Sequence, residues 1–216
     1  MELRQYIEHT LLKPDAKKEE LDKLFEEAKK YGFLGVCVNP INVEYAKKQL
    51  EGSGVKIVTV VGFPLGASLS GIKAFEAKRA IEQGADEVDM VICVQALKNK
   101  DYKYVLNDIK SVKSACGQTP LKVIIETDLL EKDEIKKACQ LIIDAKADFA
   151  KTSTGFVKNG VGAKVEDVEI MAQVLKGSKV KIKASGGIKD REKAEKLIQA
   201  GAVRLGTSSG VKLVEG

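Results

Sequence analysis

The chain has 216 residues, 44% hydrophobic and 31% charged, with a formal net charge of +5 spread along it without interleaved aromatics; this suits one soluble α/β domain over residues 1–216 and argues against a nucleic-acid partner. Four cysteines (Cys37, Cys93, Cys116 and Cys139) without C-x-x-C spacing, and His9 as the sole histidine, exclude the usual zinc and redox signatures and leave no multi-histidine metal site. No run reaches membrane-spanning length and the N-terminus lacks a signal peptide's apolar stretch, so a cytoplasmic protein with no membrane partner is expected.

In chain order, a short N-terminal helix leads into Ile7-Glu8-His9-Thr10, a short first strand. Runs rich in Val and Ile then mark strands over 34–38, 57–61, 87–93, 121–126, 148–152, 180–184 and 203–206. Helical spacing of apolar residues marks 19–31, 43–50, 72–83, 102–115, 132–145, 165–175 and 191–200, the second of these only about two turns long. Strict alternation signals parallel βαβ units, and eight strands with helices outside predict a (β/α)8 TIM barrel. Gly84-Ala85 and Gly201-Ala202 fall where helices need a C-cap before the next strand. No Pro- or Ser-rich linker divides the chain. The absence of a G-x-G-x-x-G after the first strand, and of a Walker A sequence, counts against a dinucleotide fold or a P-loop. Gly186-Gly187 after the seventh strand and Gly206-Thr207-Ser208-Ser209-Gly210 after the eighth stand where barrels commonly hold a phosphate.

Several strands carry charges on the face that should look inward. In Val180-Lys181-Ile182-Lys183-Ala184 the two lysines share one face. Lys183 is expected at the C-terminal mouth, where barrel active sites lie. Lys181 is expected a layer lower, in need of a counter-charge, with Glu87 as the candidate. Lys151 ends its strand just before Thr152-Ser153-Thr154-Gly155. A strand-end lysine paired with a carboxylate and snorkelling to solvent is the structural alternative for both Lys151 and Lys183. Magnitude favours chemistry: two ammonium groups ~6 Å apart at an effective dielectric near 20 repel by roughly 3 kcal/mol. Such repulsion leaves one of them a neutral amine able to attack a carbonyl. Asp89 shares the inward face of its strand with Glu87 and could move protons or serve as a counter-ion. Glu126 is another inward or mouth carboxylate whose role the sequence leaves open between support of the lysine pair, slightly favoured, and a purely structural one. Cys37 reads as a small core residue. His9 has only Glu8 as an obvious carboxylate neighbour and fits no triad. Phe63-Pro64-Leu65-Gly66 reads as a turn lining the mouth.

The segments Val60-Val61-Gly62-Phe63-Pro64-Leu65-Gly66, Val88-Asp89-Met90-Val91-Ile92, Val123-Ile124-Ile125-Glu126-Thr127, Lys151-Thr152-Ser153-Thr154-Gly155-Phe156, Lys183-Ala184-Ser185-Gly186-Gly187 and Gly206-Thr207-Ser208-Ser209-Gly210 follow one another in an order and spacing that resembles the deoxyribose-phosphate aldolases of the shorter bacterial and archaeal type. The resemblance runs from Glu8-His9-Thr10-Leu11-Leu12 to the end. It implies a class I (Schiff-base) aldolase with neither metal nor organic cofactor. Such an enzyme cleaves 2-deoxy-D-ribose 5-phosphate reversibly to D-glyceraldehyde 3-phosphate and acetaldehyde, in deoxyribonucleotide breakdown. It further implies that Lys151 forms the Schiff base, Lys183 supplies the perturbing charge and Asp89 transfers protons. By the same resemblance Gly155, Gly186, Gly187, Ser208 and Ser209 hold the phosphate, with Thr154 near a sugar hydroxyl. The implied partners are sugar phosphates and aldehydes, and further copies of the chain as a homodimer or homotetramer. Departures from the family's pattern include Glu8 where aspartate is commoner, Cys93-Val94-Gln95 in place of Asn-Ile-Gly, and Asp128 where cysteine or glycine is familiar. The alternatives are another phosphate-binding barrel aldolase or isomerase, and a non-catalytic sugar-phosphate sensor. A sensor predicts the loss of one lysine or of Asp89, and all three are present.

Overall fold

The computed structural model describes residues 2–216. A 3-10 turn, Leu3–Tyr6, precedes eight strands: β1 (Ile7–Leu11), β2 (Gly35–Val38), β3 (Lys56–Val61), β4 (Glu87–Val91), β5 (Leu121–Ile124), β6 (Phe149–Lys151), β7 (Lys181–Ser185) and β8 (Arg204–Thr207). They pair in parallel and in sequence order, and β8 returns to β1 to close the barrel. The helices outside it are α1 (Lys18–Tyr31), α2 (Val43–Gln49), α3 (Ser70–Glu82), α4 (Val94–Lys98), α5 (Tyr102–Cys116), α6 (Lys132–Asp144), α7 (Val165–Leu175), α8 (Arg191–Gln199) and α9 (Gly210–Glu215). This is the (β/α)8 TIM barrel that the alternation predicts.

The period-2 alternation of the strands divides two environments. Outward residues such as Val88, Met90, Val123, Ile125, Ile182 and Ala184 join the inner faces of the helices in one apolar core. On α1 that face is Leu21, Leu24, Phe25 and Ala28, at helical spacing, and Gly32 in a left-handed conformation (φ 63°) ends the helix. The inward residues are mixed: a small apolar cluster of Leu12, Cys37, Val58 and Val60, and a set of buried charges. Three carboxylates (Glu8, Glu87, Asp89) and three lysines (Lys122, Lys151, Lys183) lie buried within the barrel.

Two expected strands stop two residues short, and each stop shapes the mouth. The run 87–93 ends as a strand at Val91. Gly66 (φ 66°) approaches the Ile92 carbonyl so closely that a Cβ would lie 1.9 Å from its oxygen, and the chain turns into α4, too short to show helical periodicity. The run 121–126 ends at Ile124, because Glu126 takes a left-handed backbone (φ 63°) and starts a 3-10 turn, Thr127–Leu129. The top of β4 is anchored from outside. Buried Lys73 of α3 donates to the Val91 carbonyl at 2.9 Å and pairs with Asp108 of α5 at 2.7 Å.

Candidate active site

Asp89, in the middle of β4, is the hub of the barrel's interior. Its Oδ2 accepts from Lys151 Nζ at 2.8 Å and from Lys183 Nζ at 2.7 Å, and its Oδ1 accepts from Lys122 Nζ at 2.8 Å. Lys183 also donates to Glu8, whose other oxygen lies 3.6 Å from Lys122 and 3.8 Å from Arg204. Lys122 completes the set with Glu87 at 2.7 Å, and Glu87 reaches Lys56 at 2.7 Å. Below this layer the Phe149 ring fills the barrel floor, with Lys122, Lys181 and Arg204 at 5.6 to 5.9 Å from its centroid. Space for Lys183 comes from Gly206 on β8, where a Cβ would sit 3.1 Å from the lysine's Cε.

The lysines are electrostatically unequal. Burial is the largest influence on Lys151 and pushes its amine below the ordinary lysine range; Asp89 opposes this and Lys183 adds to it. Burial also disfavours charge on Lys183, but Asp89 and Glu8 outweigh it and hold that lysine above the ordinary range. Lys122 is raised likewise, its burial outweighed by Asp89 and Glu8. Asp89 is itself buried, yet its three lysine neighbours hold it well below the usual carboxylate range. The sequence expectation placed the repulsion by Lys183 first among the causes. In the structure desolvation comes first, the opposing Asp89 carboxylate second and the repulsion by Lys183 third.

A cavity of about 230 Å³ opens over this network at the C-terminal ends of the strands. Of the three lysines buried within the barrel, only Lys151 lines it; Lys122 and Lys183 are wholly enclosed. Thr154, Gly155, Gly186, Gly187 and Ser208 line the same cavity, with Lys13 and Lys189 at its rim. Gly155, Gly186 and Gly187 are left-handed, with φ of 80°, 83° and 65°, so their backbones take turns closed to most side chains. Ser209 lies outside the cavity. It borders a neighbouring surface hollow with His9 and Glu27, and its N–H donates to Thr207 Oγ1 at 2.9 Å. Leu12, Cys37, Val58 and Val60 form an apolar wall inside the barrel, where burial pushes the Cys37 thiol up. Phe63 and Phe156 meet edge to face across the mouth, their centroids 5.1 Å apart.

Other expected placements differ. Lys181 is exposed at the lower rim instead of buried a layer beneath Lys183, and the partners of Glu87 are Lys122 and Lys56. His9 faces outward and pairs with Glu27 of α1 at 2.8 Å, so its carboxylate neighbour is not Glu8. Glu126 does not touch the lysines; it accepts from the Thr154 N–H at 3.1 Å and from the Thr154 hydroxyl. Burial raises its carboxyl above the usual range.

The family description DeoC/LacD family aldolase matches residues 5–214. The chain belongs to that family. A deoxyribose-phosphate aldolase of Mycoplasmopsis pulmonis is 53% identical over 215 residues, a match that covers 100% of this chain and 96% of the relative. One of Finegoldia magna is 54% identical over 216 residues, with both chains fully covered. The solved tetrameric deoxyribose phosphate aldolase of Aeropyrum pernix superposes with a TM-score of 0.90 at 33% identity, covering 99% of this chain and 89% of that one. Within this DeoC/LacD aldolase, Lys122 is the site residue that sequence reasoning passed over. The signal was present: Lys122 has the inward parity of Leu121-Lys122-Val123-Ile124, but it sits among apolar residues near the strand's start. The rim cations Lys13 and Lys189 were missed as well, since loop lysines carry no periodicity.

Proposed function

We propose that Lys151 is the Schiff-base nucleophile of a class I aldolase acting on 2-deoxy-D-ribose 5-phosphate. The observation that carries this is an asymmetry: among the three lysines buried within the barrel, the one whose amine is depressed is also the one that reaches the cavity. Neutral Lys151 attacks the C1 aldehyde of the open-chain sugar, and the carbinolamine loses water to give an iminium. Loss of the C3 hydroxyl proton then breaks the C2–C3 bond, and the bonding electrons pass into the iminium. This releases D-glyceraldehyde 3-phosphate and leaves a two-carbon enamine. Protonation of the enamine at C2 and hydrolysis yield acetaldehyde and free Lys151. The imine is the electron sink, so the proposed route calls on no metal or organic cofactor.

Asp89 is held ionised by three cations at rest, a poor state for a proton donor. Its proton affinity rises when Lys151 is uncharged, as in the carbinolamine, and that is the stage at which Asp89 would take and return a proton. Lys183 stays charged beside it. Gly155, Gly186, Gly187 and Ser208 are proposed to hold the phosphate, aided by the rim cations Lys13 and Lys189 and, through the loop it shares with Ser208, by Ser209. Thr154, oriented by Glu126, is proposed to face a sugar hydroxyl. The chain is proposed to act as one catalytic unit in the cytoplasm; among the described residues no helix is long and apolar enough to cross a membrane. The exposed apolar side chains Leu65, Leu69, Ile72 and Phe75 favour association of copies as a homodimer or homotetramer.

The retained lysines and Asp89 favour this reading over a non-catalytic sensor. A coupled assay for glyceraldehyde 3-phosphate tests it. Release from 2-deoxyribose 5-phosphate is expected with the wild type and not with Lys151→Met, and release no faster than that control would overturn the proposal.

A further inference from the structure

We infer that Asp128 is a positioning residue for the phosphate end of the substrate, acting through the connection between β6 and α7. This rests on reading the glycine-lined cavity as the phosphate site. Residues 152–164 contain neither helix nor strand, so bonds from neighbouring elements must fix their path. Asp128, in the 3-10 turn after β5, supplies one. Its side chain is 8% exposed, its Oδ2 accepts from the Gly162 N–H at 2.8 Å, and its Oδ1 lies 3.6 Å from Lys164 Nζ. The fit is close: a Cβ on Gly160 would lie 2.7 Å from that same Oδ2.

The segment Asp128 holds is the one against which the phosphate-site glycines pack. A Cβ on Gly162, itself left-handed at φ 71°, would lie 2.3 Å from the carbonyl carbon and oxygen of Gly186. One on Gly187 would lie 2.2 Å from the Val161 carbonyl oxygen. The Ala163 N–H donates to the carbonyls of Ser185 and Gly186, both at 3.1 Å. A continuous path therefore runs from Asp128 through residues 160–163 to Gly186 and Gly187, on the wall of the cavity. Its members make no bond to Asp89 or to the buried lysines. Glu126 grips the start of the same connection at Thr154, so the turn after β5 clasps it at both ends. Loosening the Asp128 end should blur the glycine wall and leave the amine chemistry in place.

The test compares 2-deoxyribose 5-phosphate with 2-deoxyribose as substrates. Asp128→Ala is expected to lower the ratio of their kcat/KM values by about tenfold, mostly through KM for the phosphorylated sugar. Asp128→Asn, which still offers Gly162 an acceptor, should recover most of that ratio. Gly162→Ala, which intrudes on Gly186 from the other side, should reproduce the Asp128→Ala loss. Amide hydrogen exchange is expected to quicken at residues 160–163 and 186–188 in Asp128→Ala. A high wild-type ratio that Asp128→Ala leaves unmoved, or unchanged exchange in those segments, would overturn the role of Asp128 alone. A wild-type ratio near one would overturn the phosphate reading, and the inference with it.

Discussion

Replacing Lys183 with methionine removes a charge while keeping much of the side chain's volume. Lys151 and Lys183 donate to the same Asp89 oxygen at 2.8 and 2.7 Å, so their nitrogens are at most about 5.5 Å apart. At an effective dielectric near 20 two unit charges at that separation repel by roughly 3 kcal/mol, about a hundredfold in the neutral fraction of the Lys151 amine. The substitution also leaves Asp89 Oδ2 to Lys151 alone, which strengthens the hold on its proton and acts in the same direction. The rising limb of the kcat/KM against pH profile should therefore move to higher pH in Lys183→Met. Turnover near neutrality should fall by about two orders of magnitude and recover partly in alkali. Because the change strands the Glu8 carboxylate, the profile should also be measured in Glu8→Gln/Lys183→Met, with Glu8→Gln as its reference and circular dichroism to follow folding. A limb that stays in place, or a loss of rate equal at every pH, would refute the electrostatic account of Lys183.

Lys122→Met leaves buried oxygens of Asp89 and Glu87 without their shared cation, at about 3–5 kcal/mol; calorimetry should show Tm lower by roughly 10 °C, and Glu87→Gln in the same chain should restore part of it. Glu87 concerns acid stability. Burial alone would raise its carboxyl, but Lys122 and Lys56 outweigh burial and bring it down from 4.5 to about 2. A carboxylate depressed in this way stabilises the fold above pH 4.5 and loses that contribution, on the order of 3 kcal/mol, as pH falls toward about 2. Denaturant titrations of Glu87→Gln should accordingly show a flatter dependence across that interval than the wild type.

Parity along a strand makes much of this site legible in the sequence. It puts Lys183, Asp89 and Glu87 on inward faces, and strand counting puts Lys151 and Lys183 on adjacent strands. Parity gives a side chain's face and not its depth. Lys122 and Lys181 both lie near the start of their strands with inward parity, yet Lys122 is fully buried against Asp89 and Lys181 is exposed beneath Phe149. Strand tilt and stagger decide that depth, and they emerge only when the barrel closes. Long-range partners are hidden for a related reason. His9 finds Glu27 on α1, and Glu126 turns away from the lysines because its left-handed backbone aims the carboxylate at Thr154. The ranking of influences on Lys151 also depends on depth, since desolvation cannot be weighed against repulsion without knowing how far the amine is enclosed.

The most direct measurement of the central claim is reductive trapping. Wild-type protein incubated with 2-deoxyribose 5-phosphate and borohydride should gain a covalent adduct on the peptide that carries Lys151, with no adduct on the peptides carrying Lys122 or Lys183. An adduct on either of those two, or no mass increase while glyceraldehyde 3-phosphate is still being released, would contradict the assignment of Lys151 as the nucleophile.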